Sequence, residues 1–357
     1  MVHVSKVYFP DKQKFLNYVE KVYENGWLTN NGPLVQELEK RLEKHLGVKN
    51  LLCVSNGTMA LQLSYKLLEL GGEVITTPFS FVATTSSIKW EGLDPVFADI
   101  DPETLNIDPV KIEKSLSEKT SAIVPVHVFG NACEIEEIDR IAKKNSLKVI
   151  YDASHAFDVK YKNESILNYG DISVISFHAT KLFHTIEGAA LVIKDDALYE
   201  KAKIVRNFGT DGQNRVKTLG INAKMNELEA AMGLCVLDEI DTILAQRQES
   251  YEYYAVHLKD YVQMQRINKD ASQNYSYFPI VLRSEKELEH VRNALLAEDV
   301  SPRQYFYPSL DTLPYVKLRQ AMTNSRDIAS KILVVPMHSG VESAVSKIII
   351  KTLQSCR

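Results

Sequence analysis

Residues 171–193 read DISVISFHATKLFHTIEGAALVI, two short apolar runs around a polar loop. Ile172, Val174 and Ile175 open the stretch and Ala189–Ile193 close it. Both runs have the length and composition of buried β-strands. Lys181 stands in the loop between them, together with Ser176, His178, Thr180, His184 and Glu187. A loop that merely joins two strands has no use for so many polar groups. A lysine between buried strands is desolvated, which disfavours its charged form and makes the amine a nucleophile toward aldehydes. The alternative is a lysine that buries its stem and keeps its head in water.

Upstream, strands and helices alternate. Leu34, Leu38, Leu42 and Leu46 recur at helical spacing, a packing stripe. Leu51–Val54 reads as a buried strand, Ser55–Thr58 as a tight turn, and Met59–Leu70 as a helix stopped by Gly71 and Gly72. Further strands are expected at Glu73–Thr77, Pro95–Asp99, Ala122–Val128 and Leu147–Tyr151, with helices at Val82–Trp90 and Ile135–Lys144. The alternation implies an α/β fold, an open and mainly parallel sheet with helices on both faces. In such sheets ligands lie beyond the carboxyl ends of the strands. Gly57, Phe81 and Asp152 each fall at such an end, and Lys181 follows the strand Ile172–Phe177.

Each of these residues has an ordinary explanation. Gly57 and Thr58 begin a helix, where free amides and the dipole favour an anion, but a capped strand–helix turn looks the same. Phe81 can lie on a planar ring or fill the core. Asp152 can sit beside a pyridine nitrogen and keep it protonated, or cap a helix. Ser176 can bind phosphate from the next strand, and His155 can meet a ring hydroxyl or be a core histidine. Their convergence fits a single ligand, pyridoxal 5'-phosphate held on Lys181 as a Schiff base. There is no GxGxxG fingerprint, and no histidine pair has metal-ligand spacing.

Composition sets the wider frame. A chain of 357 residues with 45% hydrophobic and 25% charged residues is ordinary globular protein, long enough for about two domains. A net charge of −4 gives no reason to expect nucleic acid or an anionic membrane. Cys53, Cys133, Cys235 and Cys356 are widely spaced and expected to be reduced, as in a cytoplasmic protein. MVHVSKVYFP lacks the apolar core of a signal peptide, and no run is long enough to cross a bilayer. After Gly233 a long charged helix, Leu237–Leu258, is expected to lead into a smaller α+β unit. Its strands are Tyr275–Val281 and Ile332–Val335, with a helix at Glu285–Glu298. The expected division is 1–240, a large cofactor-binding domain, and 241–357, a small C-terminal domain.

The motifs SNGTMAL, TTPFSFVAT, PVHVFG, YDASHAF, SFHATK, EGAAL and GINAKMNELEAA, in this order, resemble those of the DegT/DnrJ/StrS sugar nucleotide aminotransferases. The likeness runs from about Trp27 to Gly233, with weaker echoes at Arg303–Pro308 and Val335–His338. It implies a fold-type I pyridoxal phosphate enzyme with a seven-stranded sheet, working as a homodimer with shared active sites. By this resemblance Lys181 is the Schiff base lysine and proton shuttle, and Asp152 the partner of the ring nitrogen. Phe81 stacks on the ring, His155 lies near its hydroxyl, and Gly57, Thr58 and Ser176 bind the phosphate. Asn222 matches an asparagine that reaches the phosphate from the neighbouring subunit. One departure is Ala189, where the family often has glycine after Glu187-Gly188. The family's chemistry moves an amino group from L-glutamate through pyridoxamine phosphate to a keto sugar. WLTNNGP and HATKLFHTIEGA look most like enzymes that aminate C4 of dTDP-4-dehydro-6-deoxy-D-glucose for surface glycans such as O-antigen. A 3-keto transferase, a dehydratase of the same fold, or a ligand-binding protein without chemistry are the alternatives. His178, Tyr305 and Tyr307 are candidates for the sugar, and Arg215 and Lys217 for its pyrophosphate.

Overall fold

In the computed structural model the two apolar runs are neighbouring strands that pair antiparallel, Ala189 opposite Ser176 and Ile193 opposite Ile172. The structure describes residues 1–4, 6–212, 215–317, 321–337 and 340–355. His338 and Cys356, named above, lie outside the described residues. The seven strands of the main sheet are β1 (Leu51–Val54), β2 (Glu73–Thr76), β3 (Asp94–Phe97), β4 (Thr120–Val124), β5 (Lys148–Asp152), β6 (Ile172–Ser176) and β7 (Ala189–Ile193). Their spatial order is β1-β7-β6-β5-β4-β2-β3. Only β7 runs against the rest, antiparallel to both β1 and β6. A parallel return would need a long crossover, whereas the loop 177–188 brings the chain straight back. The lysine loop is therefore the turn of a hairpin at the carboxyl edge of the sheet.

Alternate residues of these strands feed two cores. Leu51, Cys53, Ile123, Tyr151 and Ile175 face the helices Pro33–Leu46, Ile135–Lys144 and Glu227–Leu237. Leu52, Val54, Val124, Ile150 and Val174 face Gly57–Leu67, Val82–Trp90 and Asp196–Arg206. Burial on both faces explains why these strands read as continuous apolar runs rather than alternating ones. The mainly parallel sheet with helices on both faces is the architecture the sequence implied.

Two elements differ from expectation. The fourth strand was expected over Ala122–Val128 but ends at Val124, because Pro125 has no N–H to continue the ladder. Val126 makes only an isolated bridge to Asp152. Two helices stand here, Glu227–Leu237 and Ile240–Leu258; the second is the long helix expected over Leu237–Leu258, and the first was not expected. From Ala230 to Leu237 every residue is buried, so the first lacks the polar face that marks a helix in sequence. Its start is fixed by Asn226 and Glu229, which form a reciprocal capping box.

A three-stranded antiparallel sheet of Gln263–Met264, Phe278–Val281 and Ile332–Val335 carries a separate core with helices Ile240–Leu258, Glu285–Ala297 and Glu342–Ser355. Val2–His3 pairs with Val300–Ser301, so the chain's first residues attach here. Between the two sheets, Phe79, Val126, Phe129, Tyr277, Phe306 and Val334 form a joint apolar cluster. That cluster floors one side of the cavity described next.

Candidate active site

Beyond the carboxyl ends of β1, β5 and β6 lies a cavity of about 570 Å³. Gly57, Thr58, Phe81, Asp152, His155, Ser176, His178, Lys181 and Tyr305 all line it, drawn from segments up to the C-terminal part of the chain.

Lys181 is half-buried in a loop that braces itself. Phe177 and Thr185 are tied by backbone bonds across the loop, as are Ala179 and Ile186, and the Lys181 amide donates to His178 O at 2.9 Å. Gly188 closes it, and a Cβ there would lie 2.0 Å from Thr185 Oγ1 and 2.7 Å from Met225 Cε, so no other residue fits. Ala189, where the family often has glycine, begins β7 and puts its methyl into the core beside Val54 and Val174. Burial pushes the Lys181 ammonium down to about 8, with the nearby Arg303 charge adding to it and Asp152 opposing. This is the desolvated amine that the sequence suggested.

Asp152 ends β5, buried, with each carboxylate oxygen held. Thr84 Oγ1 donates to Oδ2 at 2.9 Å and the Ser154 amide to Oδ1 at 3.1 Å. Ser80 Oγ in turn bonds Thr84 Oγ1 at 2.8 Å. His155 Nδ1 accepts the Phe129 N–H at 3.2 Å, which leaves the proton of the neutral ring on Nε2. Burial, and secondarily Lys181, holds this imidazole well below the usual histidine range. It is therefore a neutral Nε2–H donor at the cavity wall.

At the start of the helix Gly57–Leu67, Asn56 Oδ1 accepts from Met59 N at 2.9 Å. The two amides before it, of Gly57 and Thr58, have no acceptor among the described residues. A Cβ on Gly57 would lie 3.5 Å from Ser176 Cβ. It would fill the gap between the helix end and the Ser176 hydroxyl, a gap suited to a phosphate. Phe81, just before the helix Val82–Trp90, keeps 53% of its surface exposed beside it. An anion cradle, a flat apolar face, a fixed carboxylate and an amine that burial makes easier to deprotonate thus surround one space. These donors fit a phosphorylated pyridine aldehyde.

Asn222, Arg215, Lys217 and Tyr307 do not line this cavity. Asn222 Oδ1 accepts from Lys224 Nζ at 2.7 Å. Arg215 Nε pairs with Asp211 Oδ2 at 2.9 Å, and Lys217 lies 3.7 Å from the same oxygen. Tyr307 is exposed. His178 is at the rim, bonded to Thr180 Oγ1 at 2.8 Å and 3.6 Å from Glu187 Oε1. Among the cavity residues that the sequence reading did not propose are Thr84 and Arg303. Thr84 gave no signal, being one hydroxyl among several in TTPFSFVATTSS. Arg303 lay in a segment noticed only as a faint echo of a family. Among the described residues no cluster of side chains could hold a metal ion, and no helix is long and apolar enough to cross a membrane. Cys53, Cys133 and Cys235 are buried free thiols.

Comparison with known proteins gives the family and the cofactor. The DegT/DnrJ/EryC1/StrS aminotransferase family description matches residues 10–354. A dTDP-4-amino-4,6-dideoxy-D-glucose transaminase of Shigella dysenteriae is 41% identical over 363 residues, covering 100% of this chain and 99% of that one. A protein of the same name from Escherichia coli is 36% identical, covering 99% and 98%. Among solved structures, DesI in the presence of its TDP-sugar product superposes with a TM-score of 0.92 at 31% identity, covering 99% of this chain and 92% of that one. The protein is a transaminase with pyridoxal phosphate as its cofactor, and the chain belongs to the DegT/DnrJ/EryC1/StrS aminotransferase family.

Proposed function

We propose that this transaminase moves the amino group of L-glutamate to C4 of dTDP-4-dehydro-6-deoxy-D-glucose, giving dTDP-4-amino-4,6-dideoxy-D-glucose for surface glycan or O-antigen synthesis. The observation that carries the sugar is the 41% identity, over the whole of both chains, to an enzyme named for that product. We further read the protein as a cytoplasmic homodimer, with a cofactor-binding unit over 1–240 and a smaller unit over 241–357. The separate core of the second unit supports that division.

The cofactor, when bound, supplies an electron sink for the carbon that loses its proton. Gly57 and Thr58 amides with Ser176 Oγ would hold the phosphate, and Phe81 would cover the ring. Asp152, fixed by Thr84 and Ser154, would pair with the ring nitrogen, while His155 would offer Nε2–H to the ring hydroxyl. Lys181 Nζ is first the nucleophile and then the base and acid that carries a proton in each half-reaction. One amine serving both half-reactions predicts ping-pong kinetics.

The test is a spectrum of the purified holoenzyme before and after L-glutamate alone, followed by the keto sugar. Loss of the visible band with glutamate and its return with the 4-keto sugar are expected, with nuclear magnetic resonance placing the new amine on C4. A band indifferent to glutamate would remove the donor, and a product aminated at C3 would remove the sugar assignment.

A further inference from the structure

We propose that Arg303 is the receptor for the carboxylate borne by the reacting carbon of the amino donor. This rests on the aminotransfer reading above and adds a residue that reading does not use. Arg303 lines the same cavity as Lys181 and Tyr305. Its backbone is rooted, since the Arg303 amide donates to Val334 O at 3.1 Å and Arg303 O accepts from Val334 N at 2.8 Å. Its guanidinium carbon lies 4.4 Å from the centroid of the Tyr305 ring. A ring under the guanidinium restrains the fork, and the planar fork can bind an oxyanion through two N–H groups.

Charge points the same way. Arg206, Arg326, Arg140, Arg266 and Arg41 each have a carboxylate partner. Among the described residues Arg303 has none, although it faces a cavity. An unneutralised fork beside a cavity is suited to an anionic ligand, and two-point hydrogen bonding to a carboxylate or phosphate is its strongest form.

Position then separates the two candidate anions. Arg303 and Lys181 line one cavity, and the Arg303 charge weighs on that ammonium. The donor's carboxylate is attached to the carbon whose proton Lys181 moves, so it must lie close to Lys181. The diphosphate of a nucleotide sugar is attached to C1, with the width of the hexose ring between it and a keto group at C4. A cation felt at Lys181 is placed for the carboxylate.

The test uses the cofactor-loaded enzyme and the variants Arg303→Gln and Arg303→Lys. The side chain is exposed, so thermal melting should match the wild type. 2-Oxoglutarate, which cannot react with the aldehyde form, is titrated by calorimetry, and dTDP is titrated separately. We expect 2-oxoglutarate binding to weaken at least about tenfold in both variants, because a charge-assisted pair is lost or reduced to a point charge. Binding of dTDP should stay within about twofold, since no contact to it is removed. Variants that bind 2-oxoglutarate as the wild type does would overturn the proposal, as would variants that lose dTDP instead. If the wild-type visible band ignores L-glutamate, the aminotransfer reading falls and takes this proposal with it. A normal wild-type response with unchanged variants sinks the role of Arg303 alone.

Discussion

At the scale of single residues the chemistry depends on how burial sets a proton. Burial pushes the Lys181 ammonium down to about 8, so at pH 7 about one amine in ten is neutral, against about one in three thousand for an ordinary lysine. The neutral form is the nucleophile, so its reactivity must rise with pH and level off above about 8. The rate at which cofactor-stripped protein takes up pyridoxal phosphate should show that midpoint, and one near the ordinary lysine value would contradict the burial account. A second prediction concerns Thr84, whose hydroxyl is one of two donors to the Asp152 carboxylate among the described residues. Thr84→Val should lower turnover about tenfold by freeing that carboxylate, while Thr84→Ser restores the hydroxyl and most of the rate. Equal rates in the two variants would assign Thr84 to packing. Sequence and structure agree here in an uneven way. Lys181 and Asp152 were legible because each is a polar residue in an apolar neighbourhood. Thr84 and Arg303 were not, because their meaning comes from what the fold sets against them.

At the scale of elements the site is made by strand ends and helix starts. The hairpin β6–β7 delivers Lys181, β5 delivers Asp152, and the turn after β1 delivers the anion cradle. This much could be read from order alone, because strand–turn–helix alternation fixes where carboxyl ends lie. The direction of β7 could not, since pattern is blind to polarity. Nor could the helix Glu227–Leu237, wholly buried along its second half. The cradle yields a prediction that separates shape from fold. A side chain at Gly57 meets Ser176 only at ordinary contact distance, 3.5 Å, so Gly57→Val should fold and melt like the parent. The branched side chain would occupy the phosphate space, and pyridoxal phosphate affinity should fall at least about tenfold, as expected when a helix-end anion site is blocked. Pyridoxal without its phosphate should bind both proteins equally. Equal loss for both ligands would mean that Gly57 matters to the ring rather than to the phosphate.

At the scale of the whole molecule, the chain carries large apolar side chains in the open. Phe208, Val216, Leu219 and Ile221 are all exposed, on the stretch that leads to Asn222. Trp27 and Leu28 are exposed too, and Leu28 O accepts the Glu227 N–H at 3.0 Å, which ties that loop to the same region. Exposed apolar groups gathered this way fit a partner surface better than a solvated one. Asn222 does not line the cavity of its own chain, so in the proposed homodimer it would serve the site of the second copy. Two dead variants then make a decisive pair. Lys181→Ala alone and Asn222→Ala alone should each lose activity, the first completely. In a mixed dimer, the Asn222→Ala chain keeps its own Lys181 and borrows Asn222 from its partner, which rebuilds one of the two sites. Unfolding and refolding the two variants together at equal concentration gives half mixed dimers, so activity should recover to about a quarter of the wild type. If Asn222 served its own chain, every dimer would lack an intact site and the mixture would stay as inactive as its components.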